Sequence, residues 1–145
     1  MSDLQTLEDA ANEIMQIYEI EIPPVPIEMI LQKPRNNMWR EMDVTQLSGS
    51  FLSLRHPYSP RMSLTRMLAR HVAYSDWGEE RGLAEIVSVD LAEEGALRAF
   101  ARMLVMPGDL MAQLTPSERT PDAISEKFEV PPDDAERRLE ELAAL

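Results

Sequence analysis

The chain has 145 residues, a net charge of -12 and no cysteine. This length fits one domain with a substantial core, and the lack of cysteine excludes disulfides, thiol nucleophiles and cysteine-ligated zinc. The acidic balance disfavours direct binding to nucleic acids and anionic membranes, and no run of about 18 apolar residues predicts a membrane span. Because the N-terminal segment also lacks the basic start of a secretory signal, we expect a cytoplasmic protein.

Two helices are predicted before residue 33. Ser2 and Gln5 have the spacing of a capping box, and apolar residues follow at helical spacing as far as Tyr18. The next segment, IEIPPVP, cannot continue a helix because proline lacks the backbone N–H. Pro26 suits the first turn of a short second helix with the sequence PIEMILQ.

Strands are predicted in the middle of the chain. A short strand is expected near residues 38–42, and SFLSLRH alternates so that Leu52 and Leu54 share one face. The segment IVSVD, residues 86–90, predicts either a short strand or an extended lead-in to the next helix. We therefore expect a single domain over residues 1–145 of fold class α+β, mostly helical with a small β-sheet.

Further helices are predicted around these strands. A helix is expected from Arg61 to Trp77, and another from a capping-box-like start at Asp90 through Met106. The inward stripe predicted for the first of these consists of Leu64, Met67, Leu68, His71 and Val72. A final helix pair occupies residues 120–145 as part of the same domain, with prolines at the start of each helix.

The order of these elements, together with two motifs, resembles the ImmA/IrrE family of zincin-like metallopeptidase domains. The first motif is FARMLVMP, from Phe100 to Pro107, which is similar to the family's Phe-Ala-x-x-Leu-Leu-Met-Pro signature. The second is the tail ISEKFEVPPDDAERRLEEL, which includes an Arg138-Leu139 step. The resemblance covers the chain from about Leu4 to Leu142 and implies a zinc-peptidase scaffold.

The residues that would make this scaffold an enzyme are missing. In active members, as the resemblance implies, His-Glu-x-x-His supplies two zinc ligands and a general base, and the next helix supplies a third ligand. Here the two histidine positions fall on Arg70 and Tyr74, the base position on His71 and the third ligand at or near Ala96. Arginine has no free lone pair for a metal. We therefore expect a degenerate member with no catalytic residue, no metal ligand, no cofactor and no enzymatic activity.

The same positions, with Trp77, are the candidate binding groove. Arg70 is expected to pair with Glu93 or Glu94, so that its guanidinium supplies the positive charge that the missing metal would have provided. Tyr74 and Trp77 either line a groove that still binds a protein or fill the space left by the former site. His71 is expected to be a core or groove-lining histidine with a satisfied ring nitrogen.

The leading prediction of function is a protein-binding or regulatory module, whose partner the resemblance implies to be a transcriptional repressor or a related regulator. Two alternatives stay open. One is an active zinc peptidase with rearranged ligands, for which His56 and His71 are the available histidines. The other is a purely structural subunit. DNA binding by the last helix is disfavoured because PPDDAE replaces the basic and amide side chains that a recognition helix needs.

Overall fold

The computed structural model describes residues 3–35, 38–39, 60–89 and 95–145. Helices account for 72% of these described residues, and none of them lies in a β-strand. In chain order the α-helices are α1 (Asp3–Ile17), α2 (Ile27–Gln32), α3 (Pro60–Ala73), α4 (Asp76–Glu80), α5 (Leu83–Ser88), α6 (Gly95–Val105), α7 (Gly108–Met111), α8 (Pro121–Phe128) and α9 (Pro132–Ala143), and a short 3-10 helix, Pro116–Glu118, lies between α7 and α8. None of the described helices is long and apolar enough to cross a membrane.

The predicted α+β class, with its small β-sheet, is wrong, because the described part of the chain is all-helical. The segment IVSVD shows the error most directly: α5 covers Leu83–Ser88, and so includes residues 86–88, for which a strand or an extended lead-in was predicted. Leu83 and Val87 are both buried and lie one helical turn apart, so a helical spacing explains this segment better than the short alternation. The strand prediction on residues 50–56, and most of that on residues 38–42, falls outside the described residues.

The described chain divides into two compact units, Met1–Val25 with Arg102–Leu145, and Pro26–Ala101. In the first unit α8 packs against α9, and their contact buries Ile124, Phe128 and Ala135. Thr120 begins α8 by accepting a hydrogen bond from the Ala123 N–H at 3.2 Å, as its position before Pro121 predicts. Pro121 is the first residue of α8 and Pro132 the first residue of α9, so the predicted starts of both helices are confirmed. The single domain over residues 1–145 stays a prediction.

An ion pair lies in the core of the first unit. Arg138 of α9 is fully buried, and its Nη2 donates to Oε1 of the buried Glu8 on α1 at 2.5 Å. Its Nε also donates to the Met106 carbonyl at 2.8 Å, just beyond the end of α6. One guanidinium therefore joins α9 to α1 and to the chain that follows α6.

In the second unit α3 contacts α2, α4 and α5. The turn between α3 and α4 is tight, because the Ser75 hydroxyl donates to the Val72 carbonyl at 2.7 Å and accepts from the Gly78 N–H at 3.1 Å. A Cβ at Gly78 would collide with the backbone carbonyls of Val72 and Ala73. Glycine is therefore required where α4 crosses the end of α3.

The motif Phe100–Pro107 forms a strongly apolar helical surface. Phe100, Ala101 and Met103 have no exposed area, and the same holds for Leu104, Val105 and Met106. Arg102 binds Glu141 through both carboxylate oxygens, with 2.6 Å between Nη2 and Oε2. Leu97, one turn before Phe100 on the same helix, is also buried.

Candidate functional site

The candidate site begins with two exposed side chains at the C-terminal end of α3. Arg70 is exposed, and Tyr74 has 46% of its surface exposed. The Tyr74 N–H donates to the Arg70 carbonyl at 3.1 Å, so the two residues lie one helical turn apart on one face. The positions that the family resemblance assigns to two zinc ligands therefore carry an arginine and a tyrosine, both of them exposed residues.

Tyr74 is held in place by the neighbouring helix α5. Its hydroxyl lies 2.8 Å from the Ser88 Oγ, and that Oγ donates its own proton to the Ala84 carbonyl at 2.5 Å. Because the Ser88 proton is used, Tyr74 is the donor of the shared hydrogen bond. The ring is thus oriented across the surface between α3 and α5 while almost half of it remains accessible.

His71 lies beside these residues but is partly buried. Its Nδ1 is 2.9 Å from the Met67 carbonyl in the preceding turn of α3. A carbonyl only accepts, so Nδ1 is the nitrogen that donates in this hydrogen bond. One ring nitrogen of His71 therefore has a hydrogen-bond partner, as was expected of a core or groove-lining histidine.

Trp77 does not lie on the exposed face with Tyr74. Only 7% of its surface is exposed, and the Arg81 guanidinium covers its ring at 3.8 Å from the centroid. Arg81 also donates from Nη1 to the Trp77 carbonyl at 3.0 Å. The tryptophan therefore anchors α4 in the core, and Arg81 is the residue that sequence reasoning missed. Its i, i+4 spacing from Trp77 on a helix was the available signal.

The remaining candidate positions add no side chain to this face. Ala96 is partly buried in the first turn of α6 and has no polar side-chain atom. Glu93, Glu94 and His56 lie outside the described residues, so the pairing of Arg70 with Glu93 or Glu94 stays a prediction. The same is true of a zinc site built from His56 and His71.

Within the described ranges no three histidine or carboxylate side chains lie close enough together to hold a metal ion. The groups at the end of α3 have a different chemistry, because Arg70 carries a positive charge and Tyr74 has a fixed, partly accessible aromatic ring. Arginine and tyrosine are enriched among the residues that contribute most to protein–protein binding.

No model of a known protein family, no curated protein and no solved structure matches the chain.

Proposed function

We propose that this chain is a non-catalytic ImmA/IrrE-like domain of the bacterial cytoplasm that binds another protein through the end of α3. The observation that supports it is the exposed pair Arg70 and Tyr74, one turn apart at the positions that resemble the zinc-binding histidines. These side chains cannot replace two imidazoles as zinc ligands, but they suit a protein interface. The proposed partner is a transcriptional repressor or a related regulator.

The buried motif supports the first part of this proposal, that the chain has an ImmA/IrrE-like scaffold. The residues from Phe100 to Met106 that match the family signature form a fully buried apolar face, with Arg102 directed to Glu141. A signature that forms the core is retained for packing, whatever happens to the catalytic residues. Loss of the ligands with retention of this core is the pattern of an enzyme scaffold used for binding.

The orientation of Tyr74 supports the second part of the proposal, that the end of α3 binds another protein. The hydrogen bond to Ser88 holds the ring before any partner arrives, so less side-chain entropy is lost on binding. Arg70 projects from the same face one turn earlier and supplies the polar contact beside the aromatic one. A fixed aromatic ring with a neighbouring guanidinium is a suitable anchor for a partner surface.

Photo-crosslinking at Tyr74 tests the proposal. A photoreactive phenylalanine at position 74 is compared with the same group at Glu136, an exposed residue of α9, in cells of the natural host. The proposal expects one protein, a repressor or other transcription regulator, to crosslink at position 74 and not at 136. Arg70→Ala should reduce its yield. Equal crosslinking at both positions, or products unrelated to transcription, would contradict the proposal.

A further inference from the structure

A second surface feature lies wholly within the first unit and shares no residue with the end of α3. It is a groove of about 610 Å³ between the C-terminal end of α1, the segment that follows it, and α7. Three of its lining residues are apolar and largely covered: Met15, Ile20 and Leu110. This volume is in the range of pockets that bind small molecules or a few side chains.

The walls of the groove are held by backbone hydrogen bonds. After α1 the chain reverses through Glu19, whose φ of 56° is left-handed. The Glu19 N–H donates to the Gln16 carbonyl at 3.2 Å, and the Ile20 N–H donates to the Met15 carbonyl at 2.9 Å. These are the two bonds of a Schellman motif, which brings the apolar side chains of Ile20 and Met15 together.

The other wall is fixed to α1 by a side chain. The Asp109 N–H at the start of α7 donates to the Asn12 Oδ1 at 3.1 Å. This bond holds α7 against α1, so the covered side chain of Leu110 faces the same groove as Met15. The groove is therefore already formed before a ligand arrives, which lowers the entropic cost of binding.

The rim combines one exposed apolar side chain with three carboxylates and the neutral amides of Gln16 and Gln113. Ile22 is 74% exposed and extends the apolar surface outward. Glu19, Glu21 and Asp109 are exposed carboxylates of the lining, and the part of the chain that the structure describes contributes no lysine, arginine or histidine to it. The rim therefore repels anions and attracts cations.

We infer that this groove binds a short segment of a partner protein in which one large apolar side chain is flanked by lysine or arginine. The apolar side chain covers Met15, Ile20 and Leu110 and removes Ile22 from water. The flanking cations meet the carboxylates at the rim, and the chain's net charge of -12 steers such a segment toward it. A metal ion is a poorer occupant, because the three carboxylates do not form a metal-holding group in the described structure.

Fluorescence anisotropy with the full chain tests this inference. The probe is a fluorescein-labelled peptide, Gly-Lys-Lys-Trp-Ser-Lys-Lys-Gly, and its control is Gly-Lys-Lys-Ser-Ser-Lys-Lys-Gly with the same charge. We expect the first peptide to bind at least about tenfold more tightly at physiological salt, because only it can fill the apolar groove. Glu21→Lys and Ile22→Ser should each weaken its binding by about fivefold or more. Glu126→Lys, the same charge change on the exposed face of α8, should leave it within about twofold.

Equal affinity of the two peptides would overturn the inference, and so would equal weakening by Glu126→Lys and Glu21→Lys, because both results mean attraction by net charge alone. Absence of binding at protein concentrations on the order of 1 mM would also overturn it. Amide chemical shifts of the unsubstituted chain provide a measurement that does not depend on variants. The inference expects the peptide to shift residues 15–22 and 109–113, and shifts confined to other residues would contradict it.

Discussion

Arg138 and Glu8 lie 130 residues apart in the chain and form an ion pair that water does not reach. The pair joins the last helix to the first, and the same guanidinium binds the Met106 carbonyl at 2.8 Å. The second carboxylate oxygen, Oε2 of Glu8, is buried and has no hydrogen-bond partner among the residues that the structure describes. Loss of either side chain leaves the other charge buried without its counter-charge, so the pair is sensitive to a substitution at one partner alone.

Arg138→Met should destabilise the chain by about 3–5 kcal/mol, because it leaves the Glu8 carboxylate buried without a cation. The double variant Glu8→Leu with Arg138→Met should lose less, since no charge is then left unpaired. Urea unfolding followed by circular dichroism measures both. A single variant within about 1 kcal/mol of the unsubstituted chain would show that the pair contributes little.

Gly78→Ala should be destabilising by about 1–3 kcal/mol, because the new Cβ would collide with the backbone carbonyls of Val72 and Ala73. Gly82→Asn is the matched control. Gly82 has a φ of 76° with open space around it, and asparagine tolerates that conformation, so we expect a change below about 1 kcal/mol. Thermal melts of the two variants show which substitution lowers the melting temperature more. A less stable Gly82→Asn would contradict the close approach of α4 to α3.

Glu118 should titrate well below an ordinary glutamate. The Thr115 backbone N–H, then the Lys127 ammonium and the Thr115 hydroxyl, lower the pKa of its carboxyl from 4.5 to about 2. Since the folded pKa is the lower one, ionised Glu118 stabilises the fold above pH 4.5, and this stabilisation is lost as the pH falls toward about 2.

The pH dependence can be measured with Glu118→Gln. Its melting temperature should lie below that of the unsubstituted chain at pH 7, and the difference should shrink as the pH falls from about 5 to about 3. The difference should also be small, because the carboxyl is near solvent and its ion pair with Lys127 is screened by salt. A difference that stays constant with pH would contradict the lowered pKa.

The substitutions Arg70→His, His71→Glu and Tyr74→His together would restore the His-Glu-x-x-His order on α3. If this helix derives from a zinc-peptidase scaffold, the triple variant should bind zinc at least about tenfold more tightly than a histidine pair placed elsewhere. Glu136→His with Glu140→His supplies that pair at the same spacing on the exposed face of α9. Isothermal titration calorimetry measures both affinities, and equal values would count against the proposed alignment.

The helix ends were predictable where proline or a capping residue marks them. The first helix, predicted to end near Tyr18, ends at Ile17, and Thr120 begins α8 as expected. These signals are local, because a missing N–H or a side-chain cap acts within one turn. The prediction for the segment IVSVD was wrong, because five residues are too few to distinguish an alternating pattern from a helical one.

The site was predictable in part. That Arg70 and Tyr74 share a helix face follows from their spacing, whereas the burial of Trp77 under Arg81 depends on how α4 packs. The pairing of Glu8 with Arg138 could not be predicted, because no local pattern joins residues so far apart in the chain. Charged residues are usually exposed, so the sequence alone favoured exposed side chains for both Glu8 and Arg138.

Zinc content is the decisive measurement, because the proposed function requires a scaffold that holds no catalytic metal. The chain is purified without chelator or affinity tag, loaded with excess zinc, dialysed and analysed by mass spectrometry. We expect far less than one zinc per chain, because Arg70 and Tyr74 occupy the ligand positions. Near-stoichiometric zinc retained through dialysis would contradict the proposed function and would point to a peptidase built on His56 and His71.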